Sequence, residues 1–120
     1  MNRKRILLVE DDFSTQYLFT ECLKTENYDV FPMDHGRVAL EHMSVHGVPD
    51  LVLMDLSSHF ITPEAFVHGL RKLPQGHETP IIVVSGKENI DEEAKNLQVS
   101  AFLRKPCDLD PLLTKISQTI

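Results

Sequence analysis

The feature that most constrains this chain is Ile6–Asp12, Ile-Leu-Leu-Val-Glu-Asp-Asp, where an unbroken aliphatic run stops in adjacent carboxylates. A strand with one solvated face alternates apolar and polar residues. A run without alternation fits a strand covered on both faces, as in a parallel sheet. Asp11 and Asp12 then stand at the carboxyl end of a buried strand, where open α/β sheets place their ligands. Neighbouring carboxylates repel one another, which favours a shared proton or a bound cation. Such side chains also commonly cap the helix that follows. The doublet alone leaves both roles open.

The rest of the chain repeats the pattern of apolar run followed by helical periodicity. After Ile6–Val9 a helix is expected from about Ser14 to Glu26, with Ser14 as N-cap and Leu18–Cys22 and Phe19–Leu23 as i,i+4 pairs. Tyr28–Met33 is more polar and carries Pro32, which suits an edge strand. A helix follows over Gly36–His46, turned inward on Val38, Ala39 and Met43. Leu51–Met54 is the next buried run and ends in Asp55. Thr62-Pro63 is an N-cap and first-turn signature, and Phe66, Leu70 and Leu73 give the following helix one apolar face. Pro74-Gln75-Gly76 breaks it.

Ile81–Val84 is the fourth strand and ends in Ser85-Gly86. Ile90, Ala94 and Leu97 mark a helix, and Ala101–Leu103 a short fifth strand with Lys105-Pro106 at its end. The last helix starts near Asp108 and points Leu109, Leu112, Leu113, Ile116 and Ile120 inward. Five strands alternating with five helices imply one doubly wound α/β domain over residues 1–120, a (βα)5 unit with a five-stranded parallel sheet. The sequence shows no internal linker, repeat or low-complexity stretch.

A formal net charge of −6 argues against nucleic-acid binding, which needs a basic stripe. No apolar stretch approaches the ~20 residues of a membrane span. Cys22 and Cys107 lack metal-like spacing and read as reduced thiols of a cytoplasmic protein. His42 and His46 are i,i+4, a spacing that can bind metal on a helix face, but no third ligand is evident and they read as two surface histidines.

In a parallel sheet all the carboxyl ends of the strands lie along one edge. Asp11, Asp12 and Asp55, with the Ser85 hydroxyl and the Lys105 ammonium, therefore converge in one crevice. Three carboxylates together are costly, and Lys105 and a divalent cation are their natural compensation. Mg²⁺ takes oxygen ligands, usually one or two carboxylates plus phosphate oxygens. Such a crevice suits a phosphoryl group on an acidic side chain.

At this point the chain resembles the receiver domain of two-component response regulators, over essentially all 120 residues. The resemblance is carried by Val9-Glu10-Asp11-Asp12, Leu53-Met54-Asp55-Leu56, Val83-Val84-Ser85-Gly86 and Phe102-Leu103-Arg104-Lys105-Pro106. It implies a flavodoxin-like fold with strand order 2-1-3-4-5, and a bacterial phosphorelay role. Asp55 matches the phosphoacceptor, which takes a phosphoryl group from a phosphohistidine of a sensor histidine kinase or phosphotransfer protein. The resemblance assigns Mg²⁺ to Asp12, Asp55 and the Ser57 backbone carbonyl directly, with Asp11 acting mostly through water. Lys105 and Ser85 are expected on phosphate oxygens, Phe102 as the aromatic switch, and Lys105-Pro106 as a cis peptide. Output is expected as a shift of the face formed by the fourth helix, fifth strand and fifth helix, controlling an effector protein or domain. That face is also where a homodimer would form.

The loop after Asp55 departs from the family pattern of Met-Pro and a later Asp-Gly. It reads Leu56-Ser57-Ser58-His59-Phe60-Ile61-Thr62-Pro63. His59 is expected beside the phosphate, where it would modulate dephosphorylation with a pH dependence near the ordinary imidazole pKa of about 6.5. Gln98-Val99 replaces the common Gly-Ala before the fifth strand. Three alternatives compete. A phosphorylation-independent interaction module would have drifted in the loop while keeping the fold. A phosphatase of the haloacid-dehalogenase type needs a second Asp where Ser57 stands. Resemblance of Asp55-Leu56-Ser57 to anti-sigma-factor antagonists gives no reason for the acids or for Lys105. Loading one phosphoryl group per event is regulation, so an enzyme is not expected.

Overall fold

The computed structural model describes residues 3–55, 60–105 and 108–120. The aliphatic runs become five parallel strands: β1 (Arg5–Val9), β2 (Asp29–Met33), β3 (Leu51–Asp55), β4 (Ile81–Ser85) and β5 (Ala101–Arg104). Five helices connect and follow them: α1 (Phe13–Thr25), α2 (Gly36–His46), α3 (Pro63–Lys72), α4 (Ile90–Leu97) and α5 (Leu109–Thr119). A 3₁₀ turn at Gly76–Glu78 lies between α3 and β4. The strand order is β2-β1-β3-β4-β5. The Pro-bearing strand β2 lies at one edge and, among the described residues, pairs only with β1, with Pro32 opposite Leu8.

Alternate residues of each central strand enter two different cores, which is why these strands show no polar alternation. Ile6, Leu8, Leu51, Leu53, Ile82 and Val84 pack with Phe19 and Leu23 of α1 and Leu112 and Ile116 of α5. Leu7, Val9, Val52, Met54, Ile81 and Val83 face the other way, against Ala39 and Met43 of α2, Phe66 and Leu70 of α3, and Ile90 and Leu97 of α4. Helices α1 and α5 thus cover one face of the sheet, and α2, α3 and α4 the other.

Several expectations shift in detail. The N-cap of α1 is Asp12, not Ser14, because its carboxylate accepts the Thr15 N–H at 2.8 Å. Of the two i,i+4 pairs of α1, Phe19 and Leu23 are buried, whereas Leu18 is exposed. Val38 is also exposed, and Leu40 packs on the core instead. Thr62 caps α3 through its hydroxyl, which accepts the Ala65 N–H at 3.1 Å. Gln98 ends α4 in the left-handed region, φ 57° and ψ 47°, where helices usually place Gly. The turn into β5 is thus made with a non-glycine residue in that region. Among the described residues, no helix is long and apolar enough to cross a membrane.

Candidate functional site

The carboxyl ends of β1, β3, β4 and β5 meet as the topology requires. Glu10 follows β1 directly, and its N–H donates to the Met33 carbonyl at 3.0 Å, which ties the end of β1 to that of β2. Its side chain points inward and the residue is 2 % exposed. Asp55 is the last residue of β3 and is 8 % exposed. Lys105 follows β5, and its N–H donates to the Ser85 carbonyl at 2.9 Å. From there its ammonium donates to Glu10 Oε1 at 2.9 Å and Asp55 Oδ2 at 2.8 Å. One lysine therefore joins the ends of β1 and β3 to that of β5.

Glu10, Asp11 and Asp55 each turn a carboxylate oxygen into one group, all within 4.8 Å of one another. Asp34, just after β2, lines the same cleft. Gln16 holds that wall in place, donating to the Glu10 carbonyl at 2.9 Å and to Asp34 Oδ1 at 3.1 Å. Burial pushes the Glu10 carboxyl above its ordinary range, only partly offset by Lys105 and by the Asp12 N–H, which donates to Glu10 Oε2. Burial by itself would lower Lys105. Its hydrogen bonds to Asp55 and Glu10 and the charge of both acids outweigh burial, so the ammonium is held above its ordinary range. Among the described residues the cleft is thus a net-anionic pocket with Lys105 as its internal cation. Its donors are all oxygens, the set that suits a hard divalent ion such as Mg²⁺.

The acid run divides between the cleft and the start of α1. Asp11 faces the cleft. Asp12, expected as a direct ligand, turns its Oδ2 onto α1, accepting the Thr15 N–H at 2.8 Å and the Thr15 hydroxyl at 2.7 Å. Those two hydrogen bonds hold its carboxyl below the usual range. The third acid of the cluster is Glu10, which the sequence reading passed over. A signal for this was present: Asp12 and Thr15 have N-cap spacing, and Glu10 is the first residue past the aliphatic run.

Ser85 is buried at the end of β4, and its hydroxyl accepts the Lys87 N–H at 3.1 Å. Phe102 stands on the outward side of β5, 37 % exposed, and is not the plain core aromatic that a short strand would suggest. Arg104, next on that side, donates to the Lys87 and Glu88 carbonyls at 3.4 and 3.0 Å. Leu56, Ser57, Ser58, His59, Pro106 and Cys107 lie outside the described residues, and with them the expected Ser57 carbonyl ligand, the His59 modulator and the cis-proline. His42 and His46 stack at 4.6 Å between ring centroids, and among the described residues no third ligand joins them.

A comparison with protein families matches residues 6–117 to the response regulator receiver domain. The chain belongs to that family. Curated relatives of this receiver domain include the transcriptional regulatory protein PcoR of Escherichia coli, 30 % identical over 94 % of this chain and 50 % of PcoR. Another is the sensor histidine kinase TmoS of Ectopseudomonas mendocina, 31 % identical over 99 % of this chain and 12 % of TmoS. The chain thus spans at most about half the length of these relatives. Family members of this kind occur joined to output regulators and to histidine kinases.

Among solved structures, the chemotaxis protein CheY4 of Vibrio cholerae superposes with a TM-score of 0.89 at 23 % identity, covering 99 % of this chain and 100 % of CheY4. The receiver domain of the sensor histidine kinase PA1611 from Pseudomonas aeruginosa superposes at 0.86 with 21 % identity, covering 98 % of both chains. That structure has a magnesium ion coordinated in its active-site cleft. At these identities the two superpositions establish the flavodoxin-like fold of the receiver domain and its strand order.

Proposed function

We propose that this receiver domain is a phosphoacceptor switch of the cytoplasm, loaded at Asp55 from a phosphohistidine of a sensor histidine kinase or phosphotransfer protein. The observation that carries the reading is the setting of Asp55. It is a nearly buried carboxylate at the end of β3, paired to Lys105 and drawn into one group with Glu10 and Asp11. In the transfer, an Asp55 carboxylate oxygen bonds to phosphorus as the P–N bond of phosphohistidine breaks and its electron pair leaves with the imidazole. Asp11 and Asp55 would hold Mg²⁺, with Glu10 completing the anionic wall, and the ion would supply the charge neutralisation that phosphoryl transfer requires.

The remaining roles belong to the chain's own groups. Lys105 already sits on Asp55 Oδ2, and it moves onto a phosphoryl oxygen while keeping Glu10. The Ser85 hydroxyl must leave the Lys87 N–H to reach the phosphoryl group, which draws the start of the β4–α4 loop inward. Phe102, outward in this state, gains room to turn in. The α4–β5–α5 face then carries the change to an effector protein or domain. One acceptor loaded per event makes this regulation and not turnover.

The coupling is tested by amide NMR with phosphoramidate, a P–N donor, and Mg²⁺. Resonances of residues 85–91 and 101–105 are expected to shift on phosphorylation, and a Ser85→Ala variant is expected to load phosphate with most of those shifts lost. Shifts confined to the cleft in the wild type would contradict the switch and favour the phosphorylation-independent module.

A further inference from the structure

The Ser85 hydroxyl is engaged by the loop that follows it, and one side chain of β5 grips that loop. Residues 86–89 run exposed from the end of β4 to the start of α4. At their start the Lys87 N–H donates to Ser85 Oγ at 3.1 Å. Arg104 pairs with Ser85 in the β4–β5 register. Its Nη1 donates to the Lys87 carbonyl at 3.4 Å and to the Glu88 carbonyl at 3.0 Å. Its Nη2 stands 3.5 Å from Asp91 Oδ1 in the first turn of α4. Lys87 Nζ and Asn89 Nδ2 both meet Glu93 Oε1, at 3.7 and 3.4 Å, which ties the loop to that same turn. The residue after Arg104 is Lys105, whose N–H donates to the Ser85 carbonyl and whose ammonium donates to Asp55. Arg104 thus adjoins the lysine of the site and holds the loop that occupies Ser85.

We infer that Arg104 is a positioning residue for Ser85, a latch that keeps the β4–α4 loop in the arrangement where Lys87 engages the Ser85 hydroxyl. The inference rests on the phosphoacceptor reading. Fixing the carbonyls of residues 87 and 88 fixes the peptide planes around Lys87, and with them the aim of its N–H. Arg suits the task because its planar fork presents several donors in fixed directions, which an ammonium on a flexible stem does not. The ion pair to Asp91 adds little, since both side chains are more than half exposed and solvent screens them. The hold comes from the carbonyls. Its consequence is set by population: a site completed only when the loop moves binds a phosphoryl group more weakly, in proportion to how seldom the loop has moved.

Arg104→Met keeps the apolar stem and removes every donor. The probe is beryllium trifluoride with Mg²⁺, a tetrahedral anionic mimic of a phosphoryl group on Asp55, titrated calorimetrically into the full chain. Arg104→Met should bind the mimic about threefold more tightly than wild type, with affinity for Mg²⁺ alone unchanged. Charge cannot produce that tightening, because losing a cation by itself weakens the binding of an anion. Asp91→Ala should match wild type. In a Ser85→Ala background, Arg104→Met should change nothing further, since the cycle isolates action through the hydroxyl. Unchanged or weaker mimic binding in Arg104→Met overturns the latch, while binding of the mimic by wild type leaves the phosphoacceptor reading intact. Equal tightening with and without the Ser85 hydroxyl overturns action through Ser85. Tightening by Asp91→Ala equal to that by Arg104→Met overturns the hold through the carbonyls. A wild type that binds no mimic in Mg²⁺ overturns both readings.

Discussion

Replacing Lys105 with Met is expected to destabilise the metal-free protein by about 2–3 kcal/mol, and to tighten its hold on Mg²⁺ about tenfold. Both effects come from one geometry. The ammonium lies 2.8 Å from Asp55 and 2.9 Å from Glu10, whose side chains are 9 % and 2 % exposed. Removing it takes from two buried carboxylates the ammonium from which both accept a hydrogen bond. Breaking a buried pair in this way costs roughly 3–5 kcal/mol, and the lower figure reflects a lysine side chain that is 26 % exposed. The same ammonium competes with an added cation for the Asp55 carboxylate, so its loss removes a like-charge repulsion inside a half-buried site. Urea denaturation in chelator and in millimolar Mg²⁺ checks this: the variant's deficit should be large in the first and mostly regained in the second. A deficit of equal size in both would show that Lys105 matters for packing alone.

The second large effect separates two adjacent aspartates. Asp11→Asn should weaken Mg²⁺ binding by more than about tenfold, because Asp11 supplies one of the three clustered carboxylates. Asp12→Asn should leave Mg²⁺ affinity within about twofold, since an exposed charge is largely screened, and should keep α1 intact because Asn also caps well. Asp12→Ala should lower the thermal midpoint without changing Mg²⁺ affinity. Isothermal titration and thermal melts of the three variants decide the matter. A loss of Mg²⁺ binding in Asp12→Asn matching that in Asp11→Asn would return Asp12 to the site.

These aspartates also show where reading a sequence works and where it fails. The strands were recoverable because a two-sided parallel sheet leaves an unmistakable aliphatic run, and Asp55 and Lys105 because topology carries strand ends to one edge. The first helix start was misplaced because three consecutive acids compete for two roles, and adjacent side chains at a strand end point to opposite sides. Glu10 carries a weaker signal than the Asp pair beside it, yet the end of β1 turns this first acid inward. Val38 is expected inside because it is apolar, but α2 covers the sheet with a narrower stripe than its composition allows. The stack of His35 on Phe60 had no local signal at all. It joins residues 25 apart that only the fold brings together.

The most direct test of the central claim is intact-mass spectrometry after incubation with acetyl phosphate, with and without Mg²⁺, on wild type and Asp55→Asn. The account predicts one phosphoryl adduct in the wild type that requires Mg²⁺ and is absent in the variant. No adduct in the wild type, or an equal adduct in Asp55→Asn, would contradict it.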